Sequence, residues 1–177
     1  MSVLPLIDPT TDGPAGQLLG TVRKRLGVVP NMTGAMANSP ALLEGYLGLS
    51  AALAGGTLSP AVQKQIALAV AQANGCDYCL SAHSYLAEHV IHLDPATIAA
   101  ARKADSGDPR TAAALRLAVA VNDQRGEIGP AEIAAARDAG LSDPEIAETI
   151  GNVALNVLTN YFNKAVDVDI DFPRVTA

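Results

Sequence analysis

The sequence predicts an all-helical single domain, and three observations carry that prediction. Hydrophobic residues make up 49% of the 177 residues, yet aromatics reach only 3% and tryptophan is absent. The core must therefore be built from Ala, Leu, Val and Ile, which favours closely packed helices. Repeated helix-start signals open one apolar segment after another: Ser39-Pro40, Ser59-Pro60, Asp94-Pro95, Asp108-Pro109, Gly129-Pro130 and Ser142-Asp143-Pro144. In most of these a capping side chain precedes a proline suited to the first turn. No strand-like alternation competes until Val166–Phe172, where the period is two. At this length one domain with its own core is expected, spanning 1–177.

Taken in order, residues 1–12 carry Pro5, Pro9 and Thr-Thr-Asp turn chemistry and read as an extended N-terminal arm. Leu18, Leu19, Val22 and Leu26 recur at helical spacing from about Pro14, and Gly27 followed by Pro30 ends that helix. Ser39-Pro40 leads into Leu42–Leu53, stopped by Gly55-Gly56. After Ser59-Pro60, the residues Val62, Ile66, Val70 and Ala73 mark a buried stripe closed by Asn74-Gly75. The next helix should begin near Cys76 and run to about Val90. Shorter helices follow from Pro95 through Lys103, from Pro109 through Asn122 and from Pro130 through Asp138, and a long one runs from Glu145 to about Lys164. The segments 94–102 and 129–137 look alike, a match that Ala-rich helices also produce by chance. Residues 165–177 read as an extended tail. Its Asp167, Asp169 and Asp171 lack the glycine and glutamate of a calcium loop, so they are expected to form a solvated edge with Val and Ile turned inward.

With 12 basic and 18 acidic side chains the net charge is -6. Arg23-Lys24-Arg25 is the only basic cluster and reads as a solvated helix face, so nucleic acid is not an expected partner. No stretch is apolar for the length of a membrane span, and the N-terminus lacks the basic start and apolar run of a secretory signal. The expected location is the cytoplasm, where two cysteines spaced CxxC read as redox-active or metal-binding.

Both cysteines lie in Gly75-Cys76-Asp77-Tyr78-Cys79-Leu80-Ser81-Ala82-His83. On a helix, Cys79 and His83 share one face and Cys76 lies a further turn back. The helix N-terminus favours a thiolate there, because unpaired backbone N–H groups and the positive dipole end point at the sulfur. By this argument Cys76, nearest the N-terminus, has a claim to the lower pKa. A zinc site is the sharper rival, with Cys76, Cys79 and His83 as ligands and His89 or His92 as a fourth. Otherwise His89 and His92 read as helix-end or surface residues. Two small buried core cysteines are the plainest alternative.

The run Leu58-Ser59-Pro60 to Gln65-Ile66-Ala67-Leu68-Ala69-Val70, followed by Ala73-Asn74-Gly75-Cys76-Asp77-Tyr78-Cys79 and His83, resembles the AhpD-like alkylhydroperoxidase branch of the carboxymuconolactone decarboxylase family. Gly27–Met32, Ser39–Glu44 and Asn156–Asn163 look like its peroxidase-related members. The resemblance implies an AhpD-like helical bundle, a homo-oligomer (trimer or hexamer), and reduction of organic hydroperoxides without a cofactor or metal. It also implies an external dithiol or thioredoxin-like reductant. The family's pattern makes Cys79 the peroxide-reactive thiol, Cys76 the resolving one and His83 the proton carrier. Active members have a glutamate twelve positions before the first cysteine, where this chain has Lys64. A cation there cannot accept a proton from His83, which puts relay-dependent turnover in doubt and makes a weakly active or non-catalytic oligomeric relative the alternative. Lys64 and Tyr78, the latter standing where the best-known members have histidine, are possible accessory residues. Lys164 occupies another position where relatives often have histidine, and it receives no role. Lactone decarboxylation is disfavoured, since relatives with that activity generally lack the cysteine pair.

Overall fold

Five of the six helix-start signals work by the same local chemistry, and Gly129 before α8 (Pro130–Asp138) has no side chain to cap with. Ser39 accepts a hydrogen bond from the Leu42 N–H, Ser59 from Val62, Asp94 from Thr97, Asp108 from Thr111 and Ser142 from Glu145. These bonds satisfy donors that a helix start would otherwise leave unpaired. Glu145 answers Ser142 reciprocally as a capping box and also pairs with Arg110. The backbone N–H of Ser142, Arg110 and the Ser142 hydroxyl together hold the Glu145 carboxyl down to about 2.

The computed structural model describes residues 2–177. Among the described residues the helices are α1 (Pro14–Leu26), α2 (Asn31–Met36), α3 (Pro40–Ala54), α4 (Pro60–Ala73), α5 (Asp77–His89), α6 (Pro95–Ala101), α7 (Pro109–Asp123), α8 (Pro130–Asp138) and α9 (Asp143–Ala165), with no strand. The all-helical expectation and most of its boundaries hold. The centre is α4, which packs against α5, α6, α7 and α9. Seven consecutive residues of α4, Gln65–Ala71, are buried, as expected of a helix enclosed on every side. Around it, α1 and α2 lie against α3, while α8 closes on α7 and α9. The two look-alike segments form α6, against α4 and α5, and α8, on the other flank. No helix among the described residues is long and apolar enough to cross a membrane.

Three features depart from the sequence reading. The helix α2 was not expected; it has six residues, no side-chain cap and Pro30 at its N-cap, so it carries none of the local signals of a helix start. Burial of Met32–Met36 holds it in place. Next, α6 ends at Ala101, two residues before Lys103, and the chain turns through Ala104 at φ 54°. Finally, Asp169 and Asp171 are exposed but bear on the structure as well as on solvent. Asp171 accepts from the Asn31 N–H at 2.9 Å, and the Asp169 carbonyl accepts from Asn31 Nδ2 at 3.0 Å. The tail is thereby tied to the start of α2, with Val168 buried beneath it.

Leu68 is fully buried in the central helix. Leu68→Ala should cost about 2–5 kcal/mol in unfolding free energy measured with denaturant. A loss below about 1 kcal/mol would mean that α4 is not the packing centre.

Candidate functional site

The corner between α4 and α5 assembles the site. Gly75 takes φ +59°, a left-handed conformation that follows a helix end and that side chains resist. Asn74 is held from three directions: its amide exchanges hydrogen bonds with Asn122, donates to Asn160, and its carbonyl accepts from Lys164 Nζ at 2.6 Å. The chain then enters α5 with Cys76 as its N-cap, and Cys76 Sγ accepts from the Cys79 N–H at 3.3 Å. A cysteine thus occupies the place where other helices of this protein use Ser or Asp.

This cap brings the two sulfurs to 2.6 Å. A covalent S–S bond is about 2.05 Å, so the thiols need little further movement to join. Both are free cysteines in this structure. They are also buried, Cys76 1% exposed and Cys79 2%, but their surroundings differ. Cys79 forms part of the wall of a cavity of about 370 Å³, shared with Lys64, Tyr78, His83 and Asn163, whereas Cys76 lies behind it. Both match the plain reading of buried core cysteines in exposure, and Cys79 in addition borders the cavity.

The pair titrates as a unit. The hydrogen bond with Cys79 pulls the Cys76 thiol down against its burial, helped by the Cys79 N–H and the Lys164 cation. Cys79 is pushed up by sharing its proton with Cys76, by burial and by the charge on Cys76, while Asn163 and Asn160 oppose the rise. Ionisation therefore begins at Cys76, as the helix-start argument predicts, and Cys79 holds the shared proton. Asn163 Nδ2 reaches Cys79 Sγ at 3.2 Å, and its Oδ1 is buried without a partner. One amide can thus face a thiolate with its NH₂ or, turned over, a thiol with its carbonyl.

His83 lies one turn after Cys79, with its Nδ1 at 3.3 Å from Lys64 Nζ. Burial pushes the imidazole well below its usual range and the Lys64 charge adds to this, against a smaller opposing effect of Asn156. Burial also brings the Lys64 amine down to about 8. Among the described residues no carboxylate forms an ion pair with it. At neutral pH Lys64 is therefore an ammonium donating to Nδ1, which leaves the His83 proton on Nε2.

Tyr78 has two tasks. Its hydroxyl accepts from the Met32 N–H at 3.1 Å, and its ring meets Phe172 of the tail edge-on with centroids 6.0 Å apart. Burial drives its phenol up strongly, so it stays neutral and anchors α2 and the tail to the cavity wall. The zinc alternative has no ligand set: among the described residues no three His, Cys, Asp or Glu side chains converge to hold a metal ion. His89 stacks on Tyr85, and His92 is exposed at φ 61°. Three contributors were not assigned from the sequence. Lys164 and Asn163 arrive from the end of α9, nearly ninety residues away in the chain, and Arg25, grouped with a solvated face, lines the cavity.

With this geometry, the comparisons with known proteins fall into place. Residues 40–120 match the carboxymuconolactone decarboxylase family. The matched segment runs from α3 into α7 and includes Lys64, Cys76, Cys79 and His83. No curated protein matches the sequence. Among solved structures, the chain is similar to a peroxidase-related protein with an AhpD core from Ralstonia eutropha JMP134. The TM-score is 0.85 at 22% identity, covering 96% of this chain and 92% of the other. A peroxidase-related protein from Silicibacter sp. TM1040 gives 0.82 at 24% identity, covering 95% and 91%. A cysteine-to-alanine variant of the debrominase Bmp8, in complex with 2,3,4-tribromopyrrole, gives 0.78 at 22%, covering 97% and 94%. At these identities the likeness establishes the fold, which is AhpD-like throughout the chain.

The lowered Lys64 value has a consequence for stability. Its folded value, about 8, lies below the roughly 10.4 of an unfolded lysine, so between those limits the unfolded chain binds more protons and stability from this group rises with pH. Comparing wild type with Lys64→Met cancels the cysteine contributions. The advantage of Lys64→Met at pH 7 should shrink by about 1–3 kcal/mol by pH 10.5. Parallel curves in denaturant unfolding would show that Lys64 is not held in a desolvated place.

Proposed function

We propose that this protein is a thiol-dependent peroxidase that reduces organic hydroperoxides through the Cys76–Cys79 dithiol, and that an external dithiol or thioredoxin-like protein restores it. The observation that carries this reading is the arrangement of the sulfurs: Cys79 in the wall of a largely apolar cavity, and Cys76 2.6 Å behind it. Attack and resolution require one sulfur that meets substrate and another that need not.

As the peroxide enters, the proton of Cys79 passes to the Cys76 sulfur, and negative charge gathers on Cys79, where Asn163 donates to it. The thiolate attacks the distal oxygen, the O–O bond breaks, and the alkoxide departs with the electron pair. His83 faces the same cavity with its proton on Nε2, so it serves as the acid that protonates the alkoxide, and Lys64 replaces that proton through Nδ1. A glutamate at position 64 would draw a proton from His83, whereas the lysine supplies one. Sulfenic acid on Cys79 then condenses with the Cys76 thiol, releasing water and leaving a disulfide. One hydroperoxide and two thiols give one alcohol, one water and one disulfide.

Intact-mass spectrometry of the reduced protein before and after one equivalent of cumene hydroperoxide tests this. The wild type should lose about 2 Da, Cys76→Ser should gain about 16 Da as a trapped sulfenic acid, and Cys79→Ser should be unchanged. A sulfenic acid on Cys76 in Cys79→Ser would reverse the two roles, and no mass change in wild type would end the proposal.

A further inference from the structure

The cavity carries a charge opposite to that of the protein. The chain has a net charge of -6, yet among the described residues the ionisable groups lining the cavity include Arg25 and Lys64 and no Asp or Glu. The remaining wall is mainly apolar, with Val22, Leu26, Leu47, Leu86, Ile91 and Leu155 among its members. Arg25 is exposed in the last turn of α1, beside Arg23 and Lys24. Cys79 and Lys64 belong to the inner elements, α5 and α4. Tyr46 of α3 lines the same cavity as Arg25 and Cys79, and burial pushes its phenol up.

Simpler roles for the half-buried Lys64 leave the pair of cations unexplained. A counter-ion for the thiolate is already present, because Lys164 is the lysine that acts on Cys76. Proton return through His83 Nδ1 accounts for Lys64 but not for Arg25, the second cation on the same cavity. A half-buried cation with no carboxylate partner among the described residues, on the same cavity as an exposed second cation and between apolar walls, describes a receptor for an anion with a hydrocarbon body.

We propose that the cavity selects amphipathic organic carboxylates, so that, given the peroxidase reading above, its substrate is a hydroperoxide carried on an apolar chain with a carboxylate. The carboxylate pairs with Arg25 at the mouth, the chain lies along the apolar wall, and the hydroperoxide reaches Cys79. Lys64 keeps the floor positive where the alkoxide forms. Arg25 is then a specificity-determining residue that takes no part in the chemistry.

Binding measured by calorimetry separates this proposal from the reaction itself. Octanoate should bind at least about tenfold more tightly than octan-1-ol. Arg25→Gln should reduce that preference to about threefold or less, and sulfate should give no saturable binding. Equal affinity for acid and alcohol would overturn the proposal, as would a preference surviving both Arg25→Gln and Lys64→Met, or sulfate binding as tightly as octanoate. Cys79→Ser should keep the octanoate preference. If it does while the wild-type thiols ignore peroxide, the peroxidase reading falls and the carboxylate site stands.

Discussion

The hydrogen bond from the Cys79 N–H to Cys76 Sγ governs much of this site, because it decides where α5 begins. A helix start needs an acceptor at its N-cap, and here the acceptor is sulfur. One local requirement of folding therefore places one thiol at the positive end of the helix and the second thiol within 2.6 Å of it. The surrounding structure defends that corner: Gly75 makes the turn at φ +59°, while Asn122, Asn160 and Lys164 fix Asn74 just before it. A shift of one residue in the start of α5 would separate the sulfurs and turn His83 away from Lys64.

Much of this was legible in the sequence because it is local. Proline following Ser or Asp marks five helix starts, and the spacing of Cys76, Cys79 and His83 along one helix depends only on helical geometry. The first-turn N–H that favours charge on Cys76 follows from the same reasoning. What the sequence did not reveal comes from elsewhere in the chain. Asn163 and Lys164 meet the cysteines only because α9 packs against α4 and α5. Arg25 lies in a basic run whose outward neighbours are solvated, and nothing in that run distinguishes the residue that turns to the cavity. The helix α2 depends on burial of its methionines, a tertiary effect without a local marker.

Lysine at position 64 changes more than a relay. It sets a positive charge beside His83, so burial and this cation together hold the imidazole neutral. It also leaves a half-buried ammonium with no carboxylate partner among the described residues, a destabilising arrangement that Glu145, held by both an arginine and a cap, avoids. Cost of this kind is tolerated where a bound molecule completes the pairing.

The absence of tryptophan has a useful corollary. Of the four tyrosines, Tyr46 and Tyr78 belong to the cavity wall, and Tyr85 stacks on His89 and leans towards Phe172 nearby. Two of the four tyrosines therefore emit from the wall of the enclosure, while Tyr161 emits from the exposed surface. Tyr46 and Tyr78 are thus intrinsic reporters beside the sulfur in its wall, with no tryptophan to mask them.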